Sequence, residues 1–89
     1  SAASDVYKRQ QYIMKLIIAI GDVEMSVKEM LTALELKERK SFISLYLNPA
    51  INEGYVSMLY PDSPRHPRQK YLLTVKGLAV YNEFKEMGK

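Results

Sequence analysis

The sequence predicts a small α+β domain in which helices come first, a two-stranded hairpin follows and a last helix closes the chain. Apolar residues repeat at helical spacing in the first half, and two short runs after Gly54 alternate as strands do. Between those runs, three prolines from Pro61 to Pro67 exclude a regular helix. The 89 residues, 47% of them hydrophobic, suffice for one core and one domain.

Residues 1–10, SAASDVYKRQ, lie outside the domain that we predict for residues 11–87. They have no apolar run of the kind that a signal peptide needs, and they resemble a translated remnant of a sequencing adapter. We therefore expect a disordered or artefactual leader, and a natural chain that continues upstream. The apolar stretch from Tyr12 to Ile20 is broken by Lys15 and is shorter than the ~20 residues that span a bilayer. We expect no membrane partner.

The first helix is predicted from Gln11 to the stop signal at Gly21. One of its faces carries Tyr12, Ile13, Leu16, Ile17 and Ile20. The second helix begins after Ser26, whose hydroxyl can accept the Glu29 backbone N–H while the Glu29 carboxylate accepts the Ser26 N–H. Its inward residues are Val27, Met30, Leu31 and Leu34.

The third helix is predicted to begin near Glu38 and to end at Gly54, which can adopt the left-handed backbone conformation of a helix end. Its inward series is Phe42, Ile43, Tyr46, Leu47, Ala50 and Ile51. Because Pro49 has no N–H and crowds the carbonyl of Leu45, we expect a bend after Asn48.

Two strands and a last helix complete the domain. Tyr55 to Tyr60 alternates, with Val56, Met58 and Tyr60 on one face, and Gln69 to Leu73 alternates again with Tyr71 and Leu73 inward. Thr74 can cap a helix whose inward residues are Leu78, Tyr81 and Phe84. Three helices, a two-stranded β-hairpin wing and a C-terminal helix follow the order of a winged helix-turn-helix domain.

The segment from Met25 to Gly77 also resembles a known family. The matching pieces are Phe42, Tyr46-Leu47-x-Pro49-Ala50, Gly54, Tyr60-Pro61-Asp62-x-Pro64 and Gln69-Lys70-Tyr71-x-Leu73-Thr74-x-x-Gly77. They are similar to the winged-helix C-terminal domain of Fic (filamentation induced by cAMP) proteins, and a similar module ends certain bacterial predicted transcriptional regulators. The sequence departs from that pattern at Ile43 and Leu45, where related domains usually carry polar or basic residues, and at Leu72, usually charged.

The resemblance implies no catalysis by these residues. Fic enzymes transfer nucleotide monophosphates through a motif in which His is followed by Pro-Phe and a Gly-Asn-Gly-Arg turn, whereas the single His here, His66, is followed by Pro67 and Arg68. The sequence has no Cys for a thiolate nucleophile or a zinc site. We therefore expect no catalytic residue, no metal and no cofactor. The absence of cysteine also suits a reducing cytoplasm.

The placement of the basic residues indicates binding to double-stranded DNA. They concentrate at the start of the third helix and in the hairpin tip, which are adjacent in a winged helix: the helix enters the major groove and the wing contacts the backbone. The outward polar face of the third helix extends this surface, where Asn48 either contacts adenine or caps a turn before Pro49. The predicted nucleic-acid residues are Lys37, Arg39, Lys40, Ser41, Ser44, Asn48, Arg65, Arg68 and Lys70.

The alternative function is a protein contact. Leu45 falls on the outward side of the third helix, and beside Leu59 or Leu72 it would form an apolar patch. Such a patch would dock on an upstream domain of the parent protein, or pair two copies of the chain, and so regulate or position the upstream domain.

We expect removal of residues 1–10 to shift the melting temperature by no more than about one degree, because changes away from the core typically alter the free energy of unfolding by less than ~0.5 kcal/mol. Thermal unfolding followed by circular dichroism measures the shift, with the full chain as reference. A loss of several degrees would show that these residues support the fold.

Overall fold

The computed structural model describes the backbone of residues 2–87 and the side chains of residues 7–87. Its α-helices are α1 (Ala2–Ile20), α2 (Val27–Ala33), α3 (Arg39–Phe42), α4 (Asn48–Asn52) and α5 (Val75–Met87). A π-helical turn, Ile43–Leu47, joins α3 to α4, so residues 39–52 form one continuous helix, hereafter the third helix. Strands β1 (Val56–Met58) and β2 (Tyr71–Leu73) pair antiparallel. The predicted α+β class and winged-helix order are confirmed.

Helix α1 starts earlier than the sequence predicted. Its backbone is helical from Ala2 rather than from Gln11, so α1 includes residues 2–10. That residues 1–10 are a disordered or artefactual leader stays a prediction. The apolar face was predicted correctly, since Ile13, Leu16, Ile17 and Ile20 are all buried. Gly21 follows α1 in the left-handed conformation, with φ of 59°.

Helix α2 begins with the predicted capping box. The Glu29 N–H donates to Ser26 Oγ at 3.2 Å, and the Ser26 N–H donates to Glu29 Oε1 at 3.1 Å. Directly before this cap, Met25 exchanges two backbone hydrogen bonds with Tyr71 of β2, at 2.9 and 2.7 Å. This bridge ties the start of α2 to the wing, and no alternating pattern around Met25 predicted it.

The third helix accommodates Pro49 in a different way from the bend that we predicted. The Asn48 N–H donates to the carbonyl of Ile43, five residues back, so the irregularity is a π-helical turn that precedes Pro49. We expected it as a bend after Asn48. In a regular α-helix the N–H of residue 49 would donate to the Leu45 carbonyl, and Pro49 has no N–H. A wider, π-helical turn at this point does not require that bond. Gly54 follows with φ of 82°, as predicted.

The wing is a short ladder with a long tip. Val56 lies opposite Leu73, and Met58 lies opposite Tyr71. Tyr71 and Leu73 are buried as expected, and so is Val56. Tyr60 was predicted on the same strand face as Val56, but β1 ends at Met58 and the Tyr60 ring is exposed in the tip.

Helix α5 closes the domain against the hairpin. Thr74 caps it as predicted, because the Gly77 N–H donates to Thr74 Oγ1 at 3.1 Å. Gly77 is required by close approach: a Cβ there would overlap the carbonyl oxygen of Tyr55. Tyr81 is half-buried, whereas Phe84, predicted inward, is 44% exposed. Helix α5 therefore contacts the core only through its first two turns.

The core forms where the third helix packs on α1. Phe42 is 1% exposed and Tyr46 is 9% exposed. The Tyr46 ring centroid lies 4.7 Å from that of Tyr12 and 5.6 Å from that of Phe42. Burial first, and then the neighbouring Tyr12 phenol, raise the pKa of Tyr46. These contacts make Phe42 and Tyr46 the anchors that join the third helix to α1.

We expect Phe42→Ala to lower the free energy of unfolding by about 3–5 kcal/mol, through lost burial and the cavity left behind. Because small domains are marginally stable, much of the variant should be unfolded at 37 °C. Leu45→Ala, three residues along the same helix but on its exposed side, is the matched control and should leave the denaturation curve within ~0.5 kcal/mol. A fully folded Phe42→Ala protein would contradict the core described above.

Candidate nucleic-acid interface

Basic side chains from three elements line one concave surface. Lys28 comes from the first turn of α2, Arg39 from the start of the third helix and Arg65 from the wing tip. This surface, which we call the basic groove, has a volume of about 520 Å³. Its other lining residues are Ser26, Val27, Pro64, His66, Pro67, Gln69 and Tyr71. No Asp or Glu lines the groove in the part of the chain that the structure describes, so its charged lining residues are all basic.

Local structure explains why Arg39 reaches the groove. Glu38 precedes the third helix in an extended conformation, with φ of −99° and ψ of 114°, and Arg39 is the first helical residue. The Ser41 hydroxyl donates to Glu38 Oε1 at 3.0 Å. Ser41, a predicted DNA contact, therefore uses its donor within the helix start, while its side chain remains exposed.

Lys70 lies beside a carboxylate. Its Nζ is 3.9 Å from Glu29 Oε1. Hydrogen bonding to the backbone and then the side chain of Ser26, with a smaller effect from Lys70, holds the pKa of the Glu29 carboxyl below its usual range. Glu29 is therefore ionised at neutral pH and offsets the charge of Lys70. Of the predicted wing cations, Lys70 offers the least net charge to a polyanion.

The other predicted cations are exposed but do not line the groove. Lys37 lies in the connection between α2 and the third helix, and Lys40 in the first turn of the third helix. Arg68 lies in the wing tip, where its backbone N–H donates to His66 Nδ1 at 2.9 Å. Lys37 and Lys40 lie close to Arg39 in the sequence, and Arg68 lies close to Arg65. Their exposed side chains add to the basic character of the start of the third helix and of the wing tip.

The outward face of the third helix borders a second concave surface. Ser44, Leu45 and Asn48 line a cleft of about 570 Å³ against α1; we call it the α1 cleft. Its other lining residues are Lys8, Arg9, Tyr12, Pro49, Asn52 and Glu53. The predicted DNA residues are thus divided between two surfaces. Lys8 and Arg9 belong to the segment that we suspect to be foreign, so we base no proposal on the positive charge at this edge of the cleft.

The structure argues against one of the two roles considered for Asn48, the cap of a turn, and its contact with adenine stays a prediction. Its φ of −59° and ψ of −46° are helical, and the third helix continues to Asn52. It is therefore an interior helical residue rather than the cap of a turn. No side-chain hydrogen bond of Asn48 is present within the described residues 7–87, so its exposed amide faces solvent at the α1 cleft.

The three leucines proposed as a protein contact lie on different elements. Leu45 is 45% exposed and lines the α1 cleft. Leu59 and Leu72 are half-buried on the hairpin, where Leu72 lies opposite Ser57. Neither hairpin leucine lines the α1 cleft. A contact surface at Leu45 would therefore use neighbours on the third helix and α1.

Sequence reasoning missed Lys28. The capping box defines the first turn of α2, and Lys28 lies in that turn next to Val27. What brings the wing to it is the Met25 to Tyr71 bridge, which places β2 alongside the start of α2. A search for basic residues in every helix start, rather than in the third helix alone, would have found this position.

Neither a cluster of metal ligands nor a membrane-spanning helix is present among the residues that the structure describes. Among residues 7–87, whose side chains are described, no group of three or more His, Asp or Glu side chains is arranged to hold a metal ion. No helix in that range combines the length and the apolar character needed to cross a membrane.

Comparison with protein families matches residues 11–74 to the family described as "Filamentation induced by cAMP protein Fic-like, C-terminal domain". Among solved structures, the chain is similar to a Fic family protein from Desulfovibrio desulfuricans G20, with 39% sequence identity and a TM-score of 0.72. That match covers 83% of this chain and 23% of the other, so the chain spans about a quarter of that relative's length. No curated protein matches the chain.

Proposed function

Because the chain belongs to the Fic-like C-terminal domain family, we propose that it is the DNA-binding module of a larger Fic-like or transcriptional-regulator protein of the cytoplasm. The third helix enters the major groove of duplex DNA, and the wing contacts the phosphate backbone. The observation that carries this proposal is the basic groove, in which Lys28, Arg39 and Arg65 converge from three elements.

Convergence of this kind favours a polyanion over a single small anion. Three cations along one concave wall suit a ligand whose charges repeat, and phosphates along a DNA strand do so. The groove lies at the beginning of the third helix, so a duplex seated there would meet the exposed residues of that helix next. Lys40 carries donors suitable for phosphates. Ser44 and Asn48 line the separate α1 cleft, so their contacts with base edges stay a prediction that the groove itself does not support.

We expect the domain to bind non-specific duplex with a dissociation constant of about 10⁻⁴ to 10⁻⁶ M at physiological salt. Three to five phosphate contacts should give a slope of log affinity against log salt of about −3 to −4.5. Fluorescence anisotropy of a labelled duplex, titrated between ~50 and ~200 mM salt, measures both quantities. Absence of binding at the low-salt end would contradict the proposal.

The sharpest comparison uses two double variants of equal charge. Arg39→Ala/Arg65→Ala removes two groove cations and should reduce the magnitude of the salt slope by about 1.8, since each phosphate contact contributes about 0.9. Lys15→Ala/Lys85→Ala removes two exposed cations from α1 and α5, outside the groove, and should leave the slope close to that of the wild type. Equal effects of the two variants would mean that net charge alone drives binding.

A second candidate function is the protein contact, because Leu45 lines the α1 cleft and is exposed. Its partner would be a second copy of the chain or another domain of a parent protein. If two copies pair there, sedimentation velocity of the wild type should show a dimer, and Leu45→Lys should return it to a monomer without loss of helical circular dichroism. A wild type that stays monomeric at ~100 µM, well above the micromolar range of weak specific complexes, would rule out pairing.

A further inference from the structure

The wing tip is much longer than the strands that support it. The last backbone bond of the ladder joins the Leu59 N–H to the carbonyl of Lys70 at 2.8 Å, so residues 60–69 form the loop. Hairpin loops usually contain two to five residues, and longer ones tend to be mobile. A mobile tip would have to be ordered whenever Arg65 contacts a ligand, at a cost in affinity.

One side chain closes this loop from within. Gln69 Oε1 accepts the Tyr60 N–H at 2.9 Å, and Gln69 Nε2 donates to the carbonyls of Tyr60 at 2.8 Å and Ser63 at 3.1 Å. The amide of Gln69 thus joins the two ends of the tip and uses both of its donors inside the loop. It has no N–H left for a ligand, although it lines the basic groove.

Two further contacts order the segment around Arg65. The His66 ring stacks on the Tyr60 ring, with centroids 4.0 Å apart and an interplanar angle of 17°. Backbone bonds from the His66 N–H to the Ser63 carbonyl and from the Gln69 N–H to the His66 carbonyl, each 2.9 Å, make successive turns on either side of that ring. Arg65 lies between Ser63 and His66, so its backbone is held by groups that all depend on the closed loop.

We propose that Gln69 is a positioning residue for nucleic-acid binding: it closes the wing tip so that Arg65 is held in the basic groove beside Lys28 and Arg39 before a duplex arrives. This inference rests on the proposed DNA-binding function. It goes further in stating that the affinity contributed by Arg65 depends on an uncharged side chain that does not touch the ligand.

The test is a double-mutant cycle between Gln69 and Arg65. Gln69→Met keeps the length and charge of the side chain but removes its three hydrogen bonds. It should weaken duplex binding about threefold to tenfold, the cost of ordering one or two side chains on binding. The magnitude of the salt slope should fall by up to about 0.9, the share of one phosphate contact. In the Arg65→Ala background, Gln69→Met should change affinity by less than about twofold.

Gln11→Met, at an exposed position of α1, is the matched control and should bind as the wild type does. Hydrogen exchange of the Tyr60 and Arg68 amides, measured without DNA, should speed up in Gln69→Met while amides of α1 keep their protection. This readout reports the closed loop independently of binding.

The outcomes separate the two proposals. If the wild type binds no duplex at low salt, DNA binding is wrong and the positioning role falls with it. If the wild type binds but Gln69→Met binds equally well, or loses as much affinity in the Arg65→Ala background, only the positioning role is overturned. A Gln69→Met protein that does not fold would also overturn it, because Gln69 would then support the domain as a whole.

Discussion

The two backbone hydrogen bonds between Met25 and Tyr71 are the constraint on which the arrangement of the site depends. They attach β2 to the residue that precedes the Ser26 cap, so the wing and the start of α2 cannot move independently. The third helix is already held by Phe42 and Tyr46 against α1. The basic groove is the space left where these three connected elements meet, and its cations line one surface for that reason.

The net charge of +3 is modest for 89 residues. A positively charged surface in this domain therefore depends on where its basic residues cluster. The groove gathers Lys28, Arg39 and Arg65 with no acidic lining residue in the described chain. Glu29 is kept at the edge, occupied by the Ser26 cap and by Lys70. The same capping box that starts α2 therefore also fixes an ionised carboxylate beside Ser26 at the edge of the groove, which links helix formation to the electrostatics of the site.

Backbone irregularities are concentrated in the segments that shape the two concave surfaces. The π-helical turn Ile43–Leu47 contains Ser44 and Leu45 and precedes Asn48, so it sets which side chains face the α1 cleft. In the wing, prolines at 61, 64 and 67 prevent a regular ladder, and the side chain of Gln69 replaces the backbone bonds that strands would have made. Both concave surfaces are therefore shaped in part by irregular segments of the backbone.

The sequence by itself determined the element types and most of the core. Helical spacing identified Leu16, Phe42 and Tyr46 as buried, and short-range signals located the Ser26 and Thr74 caps and the end at Gly54. These predictions succeeded because caps and periodicity depend on residues within a few positions of one another. The prediction for Phe84 failed, since its ring is 44% exposed, because helical spacing shows which residues share a face but not where the packing partner of that face ends.

Only the tertiary structure decided which polar residues share a surface. Asn48 and Arg39 lie on one predicted helix, yet they line different concave surfaces, and Lys28 joins the groove from an element that the sequence did not connect with the wing. Both results follow from contacts between residues far apart in the chain, above all Met25 with Tyr71 and Tyr12 with Tyr46. Local patterns carry no information about such pairs, because the free energy that selects them comes from burying and hydrogen-bonding whole elements against each other.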